Sequence, residues 1–292
     1  VMTTMQGKSG FPENHPLALG ASAVSTTKPI FHFLGKADVI FCIGCSFTKT
    51  NYGRAIPYGK VLIHSTNDPA DINKDHKADY ALLGDAKLVL QNIIEEVKRQ
   101  TNGIGNRNNL DVGKEVQAVK EEWLREWMPQ LTSEETPINP YRIIWDLMNN
   151  VDRKNTIITH DAGSPRDQLV PFWESISPRT YMGWGKTTQL GYGLGITMGA
   201  KLAEPNKLCV NLMGDAAIGM VGMDIETASR SKLGILTIIL NNGAMAIERS
   251  TMPYATEAYG SVYLGGNYHK LAEALGGWAE TVDSPAGFVP AL

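Results

Sequence analysis

The sequence predicts an α/β protein of two doubly wound domains, each a mainly parallel sheet flanked by helices. Three observations lead there. Short apolar runs of strand length alternate with helix-length segments in two separate stretches of the chain. Several of the helix-length segments open on an Asp or Asn cap, twice followed directly by proline. Between the two stretches lies Thr101 to Gly113, rich in Gly and Asn and almost without apolar residues, which reads as an interdomain linker.

Taken in order, the first stretch begins with a Gly- and Pro-punctuated lead, followed by Ala37 to Gly44 (ADVIFCIG), a short apolar run expected to be a buried strand. Val61 to His64 is the next strand. Asp68-Pro69 joins a cap to proline at the first helical position, and Asp85 caps a helix to about Gln100 in which Val89, Ile93 and Val97 share one face. After the linker an amphipathic helix is expected from about Lys114 to Trp127, stopped by Pro129. Asn139-Pro140 repeats the cap-plus-proline signal and leads a helix to about Asn150. Thr156 to Thr159, Leu208 to Met213, Ile235 to Leu240 and Trp278 to Val282 read as strands. Leu194 to Leu202, Met220 to Ser231 and Tyr268 to Leu275 read as helices.

Composition narrows the function classes. Of 292 residues 43% are hydrophobic and 20% charged, which describes a chain able to bury a core and excludes disorder as its main state. With 27 Lys+Arg against 30 Asp+Glu and no basic block, there is no footprint for nucleic acid or an anionic membrane surface. A small-molecule ligand is expected instead. The apolar stretch Ile235 to Leu240 is far below the roughly 20 residues needed to cross a bilayer. Val1 to Thr4 carries no secretory pattern, and three cysteines are too few for a disulfide framework, so a cytoplasmic location is expected.

The informative segment is Leu208 to Glu248, one strand, helix, strand unit. A right-handed parallel crossover opens both strand ends on one edge of the sheet, so Asp215 and Asn242, 27 positions apart, become spatial neighbours. Ligands of open α/β sheets bind at that edge, and helix N-termini there favour phosphate. A carboxylate, a carboxamide oxygen and a backbone carbonyl from the loop after Asn242 form an all-oxygen set suited to Mg2+, which takes its remaining ligands from water and phosphates. A diphosphate-bearing ligand follows. The structural alternative is that Gly214-Asp215 merely caps a helix and Asn242-Gly243 is only a turn.

Gly214-Asp215, with Asn241-Asn242 closing the next strand, resembles the cofactor signature of thiamine-diphosphate-dependent enzymes, and the wider sequence is similar to the acetolactate synthase and 2-oxo acid decarboxylase superfamily. The resemblance implies that Asp215, Asn242 and the carbonyl of Ala244 bind Mg2+, while Gly214, Ala216 and Ala217 line the diphosphate of thiamine diphosphate. Ala216 stands where the family usually has Gly. Gly185 to Leu194 (GKTTQLGYGL) is similar to the segment that supports the bent cofactor, with Leu190 as the wedge beneath it and the carbonyl of Thr188 accepting from the aminopyrimidine. Asp161 to Ser164 (DAGS) resembles a diphosphate-side loop, with Ser164 as a contact. Glu248 matches a position from which 2-oxo acid decarboxylases project an active-site Glu and acetolactate synthases an apolar residue; there it would relay protons.

The first half resembles the C-terminal part of the superfamily's middle domain, notably at Gly7 to Pro16, His64 to Ala70 and Gly84 to Lys87. In relatives this domain binds FAD, ADP or nothing. Asp68 and Asp85 are the candidates for such contacts, with capping as their first role. Cys42-Ile43-Gly44-Cys45 matches a redox spacing, but its place at a strand end makes both cysteines small hydrophobes. By the same resemblance residues 1–100 are the end of the middle domain, 101–135 a linker and connecting helix, and 136–292 the diphosphate-binding domain without its C-terminal end. The pyrimidine-binding domain, which carries the family's activating Glu and offers it across a dimer interface, is expected on the rest of a longer gene product that assembles as a homodimer or homotetramer. The implied activity is decarboxylation of a 2-oxo acid, with aldehyde release or carboligation. The alternatives are a chain that binds the cofactor without turnover, and an acyl-CoA-acting relative of the oxalyl-CoA decarboxylase or 2-hydroxyacyl-CoA lyase type.

Overall fold

The computed structural model describes residues 1–50, 53–103, 111–184 and 189–292. Strands β1 (Met2–Thr4) and β2 (Gly20–Ser22) pair in parallel, and helix α1 (Lys28–Lys36) follows with proline in its first turn. A three-stranded parallel sheet comes next, from β3 (Val39–Ile43), β4 (Val61–Thr66) and β5 (Tyr80–Leu83) in that spatial order. Asp68 caps a short 3-10 turn by accepting from Ala70 N–H, and Asp85 caps α2 (Ala86–Gln100) by accepting from Lys87 and Leu88 N–H. Both acids therefore do what their local sequence requires.

The second unit holds α3 (Val112–Leu131), α4 (Pro140–Asn150), β6 (Thr156–His160), α5 (Ser164–Phe172), β7 (Tyr181–Met182), α6 (Tyr192–Ala203), β8 (Leu208–Gly214), α7 (Asp215–Val221), α8 (Asp224–Arg230) and β9 (Leu236–Leu240). Helices α9 (Pro253–Tyr259), α10 (Tyr268–Ala274) and α11 (Pro285–Ala291) complete it. The sheet is parallel with order β7-β6-β8-β9. Asn139 caps α4 as expected, accepting from Tyr141 N–H. The mixed α/β architecture with parallel sheets and flanking helices agrees with the predicted class.

The main core joins both ends of the chain. Leu131, Ile144, Leu147, Ile158 and Leu212 are fully buried, and Met5, Ala21 and Ala23 of the lead pack into the same cluster. Charge is buried there too: Lys8 Nζ lies 2.6 Å from Glu13 Oε1, and Glu13 Oε2 also accepts from Ser175 N–H at 2.7 Å. The lead is thereby tied to the second sheet at the turn before β7.

Five expectations are corrected. The strand at β3 is not buried, because Val39 and Phe41 are exposed and α2 brings no buried residue against this sheet; an apolar strand is buried only when elements cover both faces. Cys42 and Cys45 are bonded as a disulfide, not two independent hydrophobes, since Gly44 with φ of 66° turns the chain back between them. Helix α3 runs through Pro129 to Leu131: proline removes one late hydrogen bond, while Leu131 is fully buried in the core and holds the last turn. The helix expected from Met220 to Ser231 starts earlier, at Asp215, and breaks at Gly222 into α7 and α8. Residues Trp278 to Val282 form no strand: they line the same cleft as β9 but pair with no strand among the described residues, and unpaired backbone makes no ladder.

Candidate functional site

The carboxyl ends of β6, β8 and β9 open into a cleft of about 1630 Å3. Parallel pairing of β8 with β9 sets Gly214 against Leu240, so the residues that follow each strand emerge side by side. The cleft wall includes Ser164, Leu190, Gly214, Asp215, Ala216, Ala217, Asn242, Ala244 and Glu248, which brings together every candidate residue except Thr188. Thr188 lies outside the described residues.

Asp215, the first residue of α7, is buried, yet among the described residues its carboxylate hydrogen-bonds only to backbone: Oδ1 accepts from Ala216 N–H at 2.9 Å and Oδ2 from Ala244 N–H at 3.1 Å. Asn242 Oδ1 accepts from the same Ala244 N–H at 3.1 Å. The carboxylate and carboxamide thus converge on one backbone unit. Ala244 bridges Tyr263 in antiparallel fashion, with Met245 N–H bonded to Val262 O and Leu264 N–H to Gly243 O. In a bridge of this kind the central residue's own N–H and C=O leave by the opposite edge, which here faces Asp215. Gly243, with φ of 67°, makes the turn that brings Ala244 back.

This donor set fits a hard divalent cation. Among the described residues no ion pair involves Asp215, and a buried carboxylate without a countercharge is costly. The loop geometry offers oxygen ligands of three kinds and no nitrogen or sulfur, as Mg2+ prefers. Among the described residues no cluster of three His, Cys, Asp or Glu side chains forms a metal site of another type.

Leu190 is half-buried and packs against Met213, Ala217 and Ile218, so its side chain is held between α7 and the cleft. Ser164 opens α5 behind Gly163, whose φ of 83° admits the sharp strand-to-helix turn. Glu248 sits in a 3-10 turn at Ala246–Arg249, half-exposed, with Oε2 accepting from Thr251 Oγ1 at 2.7 Å. Tyr268 faces the site from α10, its hydroxyl raised above the usual range by burial and then by the Asp215 charge.

Asp161 was visible in the sequence only as part of a loop. It is fully buried at the end of β6 and accepts from Ala162, Gly191 and Gly193 N–H. Burial raises its carboxyl while the three N–H groups oppose that rise.

The neighbouring His160 is fully buried, stacked on Trp184, with Nε2 unpartnered among the described residues. Burial lowers its pKa to about 4. The unfolded chain, with a pKa near 6.5, therefore binds a proton that the folded chain refuses as pH falls from 6.5 toward 4. Stability from this residue is unaffected above that window and falls by roughly 1.4 kcal/mol per pH unit within it. In urea titrations at pH 6.5 and 5.0 the wild type should lose about 1.6 kcal/mol more than His160→Gln. Equal losses would show that His160 ionises freely in the fold.

Comparison with known proteins agrees with this geometry. Residues 161–292 match the family model for the thiamine pyrophosphate enzyme C-terminal TPP binding domain, and residues 1–93 match that for the thiamine pyrophosphate enzyme central domain. A protein named "Probable acetolactate synthase large subunit" from Methanocaldococcus jannaschii is 31% identical over 98% of this chain and 49% of its own length. Its namesake from Methanococcus aeolicus is 30% identical with the same coverage. A 2-hydroxyacyl-CoA lyase from Arabidopsis thaliana is 25% identical over 100% of this chain and 51% of its own length. The chain spans about half the length of the curated relatives it matches. No described helix is long and apolar enough to cross a membrane. Central-domain sequence at one end and TPP-binding sequence at the other, with the latter's matched region holding the Asp215 and Asn242 cleft, establish that the chain belongs to the thiamine pyrophosphate enzyme family.

Proposed function

We propose that the cleft holds thiamine diphosphate through Mg2+, and that the whole protein uses it to decarboxylate a 2-oxo acid, releasing an aldehyde or joining the remaining unit to an acceptor. The observation that carries this reading is the convergence of Asp215 and Asn242 on Ala244 around a buried carboxylate with no cationic partner among the described residues. Asp215 Oδ, Asn242 Oδ1 and the Ala244 carbonyl hold the metal. The loop Gly214 to Ala217, with Ser164 opposite, lines the diphosphate. Leu190 and Glu248, which line the same cleft, would support the cofactor and hold a proton for it respectively; the Thr188 carbonyl, the remaining candidate contact, lies outside the described residues. When bound, thiamine diphosphate supplies an electron sink for the carbanion left by decarboxylation. Activation needs a pyrimidine-binding domain supplied by another copy in a homodimer or homotetramer, and the cytoplasm is the compartment that fits a small-molecule enzyme of this type. Asp68 and Asp85, both occupied as caps, lend no support to FAD or ADP binding by this chain.

A second reading keeps the cofactor and changes the substrate to an acyl-CoA thioester. The relatives named 2-hydroxyacyl-CoA lyase, which match the full chain, favour it. Calorimetric titration of this chain with thiamine diphosphate, in Mg2+ and in chelator, tests the site itself. Binding that appears only with Mg2+ is expected. Binding of equal strength in chelator, or none in a chain shown to be folded, would overturn the metal-dependent half-site.

A further inference from the structure

Helix α6 begins on Gly191, with φ of 90°, and so has no side chain of its own to satisfy the unpaired N–H groups of its first turn. A carboxylate from another element does so. Asp161 accepts from Gly191 N–H at 2.9 and 3.1 Å and from Gly193 N–H at 3.1 Å. Its own N–H donates to Leu212 O of β8 at 2.8 Å, and Ala162 N–H closes the local loop onto Oδ1. The backbone of 191–193 is wedged between α7 and β8: a Cβ on Gly191 would lie 2.3 Å from Val221 Cγ1 of α7, and one on Gly193 2.4 Å from Asn211 Oδ1 of β8. The Asp161 carboxylate reaches these amides from the end of β6, and Leu190 is the residue immediately before them.

We propose that Asp161 is a positioning residue that caps α6 across the cleft floor and thereby fixes Leu190 beneath the cofactor. The inference rests on the thiamine diphosphate reading for what Leu190 supports, but the cap itself stands on geometry alone. Asp161 is fully buried and does not line the cleft, so it touches neither metal nor diphosphate; Ala162 and Gly163 line the cleft instead. Nor does an ion pair engage it among the described residues, so backbone amides are what its charge serves. A charge-assisted cap of this kind orders the loop that leads into it as well as the helix that follows.

Two measurements on the folded chain test this. Amide hydrogen exchange at Gly191 and Gly193 should quicken about tenfold or more in Asp161→Ala, with Asp161→Asn, which keeps an acceptor oxygen, in between. Unchanged exchange at both glycines would overturn the cap whether or not any ligand binds. Calorimetry in Mg2+ with thiamine diphosphate and, separately, with inorganic diphosphate then reads the positioning role. Asp161→Ala should weaken thiamine diphosphate about tenfold and inorganic diphosphate less than about twofold, with Asp161→Asn recovering most of the loss. Parallel loss of both ligands, or loss of neither, overturns the link to Leu190. Failure of the wild type to bind either ligand would instead refute the cofactor reading and leave the exchange result to decide the cap.

Discussion

Replacing Asp215 with alanine is expected to abolish Mg2+-dependent binding of thiamine diphosphate, a loss on the order of 100-fold or more, since even indirect disturbance of a metal ligand costs 10- to 100-fold. Asp215 is the one charged group in the proposed metal set; Asn242 and Ala244 offer neutral oxygens. The fold should survive. The variant gives up the acceptor for Ala216 and one of two acceptors for Ala244, whose N–H keeps Asn242 Oδ1 at 3.1 Å. Relief of a buried carboxylate offsets part of that loss, so unfolding free energy should change by no more than about 1–2 kcal/mol. Calorimetry on the folded variant is the check, and cofactor binding of wild-type strength would remove Asp215 from the metal site.

A larger effect on stability is expected at a buried pair that does not line the cleft. Lys8 and Glu13 are both buried, 2.6 Å apart, with the Lys8 ammonium 5.3 Å from the Tyr181 ring centre. Burial pushes the Lys8 pKa down, and Glu13 is what opposes it. Glu13→Ala leaves that ammonium without its anion and Ser175 N–H without its acceptor, which should cost roughly 3–5 kcal/mol. A buried pair replaced by apolar groups of similar size is often tolerated, so Lys8→Met with Glu13→Leu should recover most of the loss. Urea denaturation of the single and double variants decides it. A Glu13→Ala loss below about 1 kcal/mol would mean that the pair is solvated and does not tie the lead to the second sheet.

Much of the site was legible because its signals are short-range. The caps at Asp85 and Asn139 depend on the residue itself and the two or three N–H groups after it, so sequence alone placed both. Strands β6, β8 and β9 are short apolar runs, and the handedness of a parallel crossover then puts Asp215 and Asn242 on one edge without further information. Asp161 was seen but not understood, because its partners lie 30 and 32 residues away and nothing local distinguishes it from a loop acid.

The rest needed tertiary partners. Whether β3 is buried depends on what covers its faces, and Val39 and Phe41 carry no record of that in their own apolar character. Proline at 129 argues locally for a helix end, yet burial of Leu131 outweighs one lost hydrogen bond. Trp278 to Val282 has strand-like residues, but a strand exists only when its backbone groups find a ladder, and the described sheet ends at β9. The sequence by itself determined the α/β alternation, the capped starts of α2 and α4 and the chemistry gathered at the ends of β8 and β9, all set by contacts within a few residues or by chain handedness. The tertiary structure alone decided which apolar faces are covered, where α3 ends, and that the Asp161 carboxylate serves a helix begun 30 residues later, because each of these is settled by burial or hydrogen bonding with distant partners.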